Sequence, residues 1–84
     1  MTGNCYICGK WAALDTHHIY GNSNRKHSEL YGYTIRICRD CHTDLHHRNP
    51  AKYEYLKQDF QRIHEQTYSR EHFMREFGKN YLED

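Results

Sequence analysis

Two Cys-x-x-Cys pairs constrain this chain more than any other feature: Cys5-Tyr6-Ile7-Cys8 and, thirty residues on, Cys38-Arg39-Asp40-Cys41. Each such turn presents two sulfurs to one tetrahedral ion. The four together predict a structural zinc that clips the start of the chain to residues 38–41. Four reduced thiols or two disulfides are the alternatives. A chain of 84 residues with a hydrophobic fraction of 37% has room for one domain, 1–84, and little apolar surface to bury. A staple of this kind is what such a domain needs. The opening Met1-Thr2-Gly3-Asn4-Cys5 has neither the charged nor the apolar segment of a secretory signal, and no apolar run approaches transmembrane length. These features predict a reducing, cytoplasmic location and no membrane partner, a setting in which paired cysteines bind metal more often than they oxidise.

Residues 1–10 read as a zinc knuckle, with Gly9 permitting an unusual backbone angle after Cys8. Residues 12–19 read as a strand. Alternation puts Leu14, Thr16 and His18 on one face and Asp15, His17 and Ile19 on the other. Residues 20–28 are polar and loop-like, and residues 28–32 predict a short helical turn stopped by Gly32. The β-branched run 33–37 predicts a second strand, which delivers Cys38. A helix is expected from 39 to 47. Asn49-Pro50 reads as an N-cap and first helical residue, opening a helix over 50–66 with Tyr53, Leu56, Phe60 and Ile63 on its packed side. Ser69 caps a last helix that buries Phe73 and Phe77 and ends at Gly78. The expected fold is a small zinc-stabilised α+β domain: a zinc-bracketed core over 1–48 and a helical hairpin over 49–84.

Histidine is the compositional outlier, with eight in the chain and six before residue 50. His42 and His46, one turn apart on a helix, stack on one side as two ligands of a single ion must. His17, from the strand, makes a third. Three protein ligands leave positions open for a phosphate oxygen and water, the requirement of a catalytic metal. His18, pointing the other way from His17, is left free as a general base. Pairing Cys38 and Cys41 with His42 and His46 as half of a zinc finger would strand Cys5 and Cys8, so that reading is set aside. His27, His47, His64 and His72 are read as ordinary surface residues.

These residues resemble the HNH endonuclease family, the ββα-metal (His-Me finger) fold. The match runs over about residues 4–47: Cys5-x-x-Cys8, His17-His18-Ile19, then Cys38-x-x-Cys41-His42-x-x-x-His46, in the family's order. A His at position 17 is more similar to the colicin-type DNases than to members with Asp there. Asn24-Arg25-Lys26 and Phe77-Gly78-Lys79-Asn80-Tyr81-Leu82 resemble small HNH-like proteins of phages and prophages. The resemblance implies a hydrolase that cuts DNA phosphodiester bonds in a bacterial or phage-infected cell. It implies His18 as base, and His17, His42 and His46 as ligands of one ion such as Mg2+, Mn2+, Ni2+ or Zn2+. The family's middle Asn, which braces the loop holding the base, falls at Tyr33 here. Tyr33, Asn22 or Asn24 would have to supply that hydrogen bond. Without it, the competing reading is a zinc-stabilised module that grips DNA or a protein and cuts nothing.

Charge adds little. Residues 1–50 carry six Lys/Arg against four Asp/Glu, and residues 51–84 carry six against seven. Arg25, Lys26, Arg36 and Arg48 are the candidate phosphate contacts. Non-specific backbone binding through them predicts strong salt dependence. Tyr53, Tyr55 and Tyr68 could form a protein-docking surface on the C-terminal helices, with core packing the alternative for Tyr53.

Overall fold

The computed structural model describes residues 1–82, so Glu83 and Asp84, the end of the expected hairpin, lie outside the described residues. The order of elements is β1 (Thr2–Asn4), β2 (Trp11–His18), α1 (Arg25–Tyr31), β3 (Thr34–Cys38), α2 (Arg39–Thr43), α3 (Glu54–Thr67) and α4 (Arg70–Phe77). Among the described residues no helix is long and apolar enough to cross a membrane.

The three strands form one antiparallel sheet in the order β1-β2-β3. β2 lies in the middle, pairing Ala13 with Thr2 on one side and His17 with Ile35 on the other. The expected knuckle is therefore also a hairpin turn. Cys5 N–H donates to the Lys10 carbonyl and Gly9 N–H to that of Cys5, both at 2.9 Å. Gly9 closes it at φ +78°, a left-handed angle that a side chain would strain. The three-residue β1 was not expected, since Thr-Gly-Asn is too short and too polar to announce a strand.

α1 corrects the loop expected over residues 20–28, and Arg25 and Lys26 lie in its first turn rather than in a coil. Its stop at Gly32 is as expected. Tertiary contacts decide the difference, because Ser28, fully buried, fastens the helix to the end of β2. Ser28 Oγ accepts from Tyr20 N–H at 3.1 Å and donates to the Tyr20 carbonyl at 2.7 Å. The Ser28 carbonyl takes Tyr33 N–H at 2.7 Å.

α2 begins at Cys38, whose sulfur accepts from Cys41 N–H, and widens into a π-helical turn over Asp44–Arg48. That turn is held by Asp44, which receives Asn49 Nδ2 at 3.1 Å and the Tyr53 hydroxyl. Asn49 spends its side chain there and caps nothing. Pro50 opens a 3-10 turn, Pro50–Tyr53, ahead of α3, so the expected cap is corrected.

The core is Ile19, Tyr20, Tyr33, Ile35, Ile37, Tyr53, Leu56, Phe73 and Phe77, together with the buried Cys5 and Cys38. α4 is as its sequence predicts: Ser69 Oγ caps His72 N–H at 3.0 Å, Phe73 and Phe77 are buried, and Gly78 ends it. α3 is rotated from expectation. Ile63 is 48% exposed, while Gln61 and His64 are buried at 0% and 1%. Apolar periodicity fails here because these two polar side chains are fully partnered, which removes the usual cost of burying them. Gln61 bonds Glu65, Asn80 and Tyr81 N–H at 2.7 to 2.8 Å. His64 lies between the Tyr33 hydroxyl (2.7 Å from Nδ1) and His72 Nδ1 (2.9 Å from Nε2), so the expectation that His64 and His72 are plain surface residues is corrected. His27, half-buried against Phe77, departs from it too.

Candidate metal centres

The first centre joins the β1–β2 turn to the start of α2. The sulfurs of Cys5, Cys8, Cys38 and Cys41 lie within 4.8 Å of one another, all as free thiols. Cys8 and Cys38 sulfurs are 3.8 Å apart. Zinc–sulfur bonds near 2.3 Å in a tetrahedron set sulfurs about 3.8 Å apart, so the spacing fits such an ion. Local backbone prepares the sulfurs for it: Cys5 Sγ receives the N–H groups of Ile7 (3.4 Å) and Cys8 (3.5 Å), and Cys38 Sγ that of Cys41 (3.5 Å). Burial pushes the Cys5 thiol up, but the amide donors of Cys8, Cys38 and Ile7 outweigh it and bring it down to about 6. Cys41 is held up, by burial first and then by its bonds to the other cysteines. The four cysteines can hold a structural metal such as zinc.

The second centre is built from imidazoles. His17 comes from β2, His42 from α2 and His46 from the π-helical turn, and their ligand nitrogens lie within 4.8 Å of one another. Ring centroids are 5.6 Å apart for His17 and His42, 5.2 Å for His17 and His46, and 4.8 Å for His42 and His46. His17 is pushed down to about 4, by burial first and then by the neighbouring imidazoles. His46 is lowered for the same reasons. Both rings are thereby kept neutral, the form that can ligate a cation.

Two carboxylates orient the rings. Asp15 Oδ2 lies 3.1 Å from His42 Nδ1 and also receives Arg39 Nε at 2.9 Å. A carboxylate only accepts, so Nδ1 carries the proton and Nε2 keeps its lone pair for an ion. The hydrogen bond from His42, with Arg39, holds the Asp15 carboxyl below the usual carboxylate range. Glu29 Oε1 lies 2.8 Å from His18 Nε2 and leaves Nδ1 of His18 free in the same way. Neither acid was singled out in the sequence. Asp15 carried a usable signal, lying two residues before His17 on its face of the strand. Glu29 carried none: the helical turn expected over 28–32 contains it, but nothing along the chain aims it at His18.

A cleft of about 560 Å3 opens over this centre, lined by His17, His18, His42, His46, Asn22, Arg25, Glu54 and Lys57 among others. His17 and His18 thus share one cleft, although one turns to the helix imidazoles and the other to α1. Of the four candidate phosphate contacts, Arg25 lines the cleft. Lys26, Arg36 and Arg48 do not, and Arg48 is engaged with Asp44 and the Asp40 carbonyl. The bracing position is also occupied differently. The Tyr33 hydroxyl goes to His64, Asn24 Nδ2 donates to the Phe77 carbonyl at 3.0 Å, and the loop after His18 is held by Ser28.

No protein-family model matches this chain, and neither a curated protein nor a solved structure matches it. Its class is therefore stated from fold and geometry alone. It is a small α+β protein with a three-stranded antiparallel sheet and two clusters of side chains, one of four cysteines and one of three histidines, each able to hold a metal ion.

Proposed function

We propose that this protein is a metal-dependent DNA endonuclease of the HNH type, with β2, β3 and α2 serving as the ββα-metal unit. One observation carries the reading. Three imidazoles, from a strand, a helix and the turn that follows it, bring their ligand nitrogens within 4.8 Å of one another, and a fourth imidazole on the same cleft, His18, has its Nε2 on Glu29 and its Nδ1 unbonded among the described residues. A structural site needs no such neighbour, whereas hydrolysis needs a base near the ion.

A divalent ion held by His17, His42 and His46 would supply positive charge against the charge that builds on the phosphate oxygens. His18 takes a proton from water at Nδ1, while Glu29, on Nε2, fixes the ring's tautomer and offsets the charge that the ring gains. Asp15 keeps His42 turned toward the ion. Arg25 binds the strand beside the scissile phosphate. The cysteine cluster does no chemistry: it fixes the start of α2, and with it His42, against the sheet.

The competing reading is a zinc-stabilised module that binds DNA without cutting it. The turn of Tyr33 toward His64 favours it, because the family's brace is missing from its usual place. Plasmid nicking with Mg2+, Mn2+ or Ni2+ separates the two. Wild type should convert supercoiled DNA to the nicked form, and His18→Ala should not. Equal cleavage by both proteins rejects His18 as the base, and no cleavage by either favours the binding module.

A further inference from the structure

The segment after α4, Phe77-Gly78-Lys79-Asn80-Tyr81-Leu82, plays no part in either metal cluster, yet it is pinned in detail. Asn80 Oδ1 accepts from Gln61 Nε2 at 2.7 Å and from Leu82 N–H at 3.1 Å. Tyr81 N–H donates to Gln61 Oε1 at 2.8 Å. The buried amide of Gln61 thus holds the tail against α3 through both its oxygen and its nitrogen. The tail in turn places the Tyr81 ring against Tyr20, at 5.4 Å between centroids, and beneath the ammonium of Lys57, at 5.5 Å.

Lys57 is half-buried and belongs to the wall of the cleft that holds His17, His18 and His46. It makes no ion pair among the described residues, and Arg25, on the same cleft, makes none either. Among the described residues that line the cleft, Glu54 is the one acid set against these cations. Positive groups gathered in a concave, partly desolvated site with so little counter-charge attract an anion. An ammonium held over an aromatic ring offers its N–H donors in one place.

We propose that Lys57 is a phosphate-binding residue of this cleft, seated there by the ring of Tyr81, and that it takes a phosphodiester oxygen of the bound DNA strand. The proposal rests on the endonuclease reading for its substrate and makes the C-terminal tail a working part of the site.

The test uses the full, zinc-loaded chain and a fluorescent DNA duplex, with binding followed by anisotropy across a salt series and nicking followed on plasmid with Mn2+. Lys57→Met keeps the apolar stem and removes the charge. It should bind roughly tenfold more weakly at low salt, with the slope of log affinity against log salt reduced by about one. It should also lose at least about tenfold in kcat/KM. Lys57→Arg should retain most of both, and Tyr81→Leu should lie between wild type and Lys57→Met. Zinc content and thermal midpoint establish that each variant is folded. Should Lys57→Met not fold, Lys57→Gln replaces it with the same expectation. Wild-type affinity and slope in the charge-removed variant overturn the proposal, as does weaker binding at an unchanged slope. Unaltered binding by Tyr81→Leu overturns the seating role. A wild type that binds but never nicks defeats the nuclease reading alone, and the binding series still decides Lys57. A wild type that neither binds nor nicks defeats both.

Discussion

The carboxylate of Asp15 meets Nδ1 of His42 at 3.1 Å, in a ring that shares a cluster with His17 and His46. This contact spans β2 and α2 and fixes the ring. Asp15→Ala is expected to weaken ion binding at the imidazole cluster by about 10- to 100-fold. Titration calorimetry with Mn2+ or Ni2+ on zinc-loaded protein measures it, and zinc content should be unchanged. Wild-type affinity in the variant would remove Asp15 from the site.

Glu29 and His18 form the second such pair, at 2.8 Å. His18→Ala should cost about 10²- to 10⁴-fold in nicking rate, the usual contribution of a positioned base. Glu29→Gln keeps a hydrogen-bond acceptor and loses the charge, so a smaller loss of about tenfold is expected if the charge assists the base. Single-turnover nicking at saturating ion compares the three proteins. A Glu29→Gln rate equal to wild type would reduce Glu29 to packing.

The cysteine cluster should hold the fold. Its sulfurs join two turns thirty residues apart in the chain, and a domain stability of about 5–15 kcal/mol is comparable to what a structural zinc supplies. Cys38→Ser, or a strong chelator, should abolish cooperative thermal unfolding followed by circular dichroism. A cooperative transition in zinc-free protein would show that the apolar core suffices.

His64 gives the pH prediction. Burial, then His72, lowers its pKa below the ordinary value of about 6.5. As pH falls through that ordinary value the unfolded chain takes up a proton that the folded ring still refuses. The stability contributed by neutral His64 is therefore complete above about pH 6.5 and is lost as pH drops toward the depressed folded value. His64→Gln should be less stable than wild type at pH 8, with the gap between them narrowing from pH 6.5 to pH 5. Thermal midpoints of both zinc-loaded proteins test this, and a constant gap would refute it. Ring resonances in NMR should also show His64 titrating below the ordinary histidine range.

Phe73, with no exposed surface, packs edge-on to Tyr20 at 5.4 Å and stacks on Phe77 at 4.8 Å. Phe73→Ala should destabilise the protein by about 3–5 kcal/mol. Denaturant unfolding measures it, and a loss below about 1 kcal/mol would mean that the aromatic layer closes over the gap.

The sequence by itself determined what depends on neighbours along the chain. Each Cys-x-x-Cys turn sets its two sulfurs within four residues, the interval from His42 to His46 is one helical turn, and Ser69 and Gly78 bound α4 through bonds within a turn of themselves. Tertiary structure decided the pairings that join distant segments. Asp15 reaches His42, Glu29 reaches His18 from a helix that exists because Ser28 is buried under Tyr20, and Gln61 and His64 displace Ile63 from the packed side of α3. Periodicity records which residues are apolar and at what interval. It carries no record of a polar side chain whose partner arrives from another element, and those partnered polar groups set the orientation of the rings in the cleft.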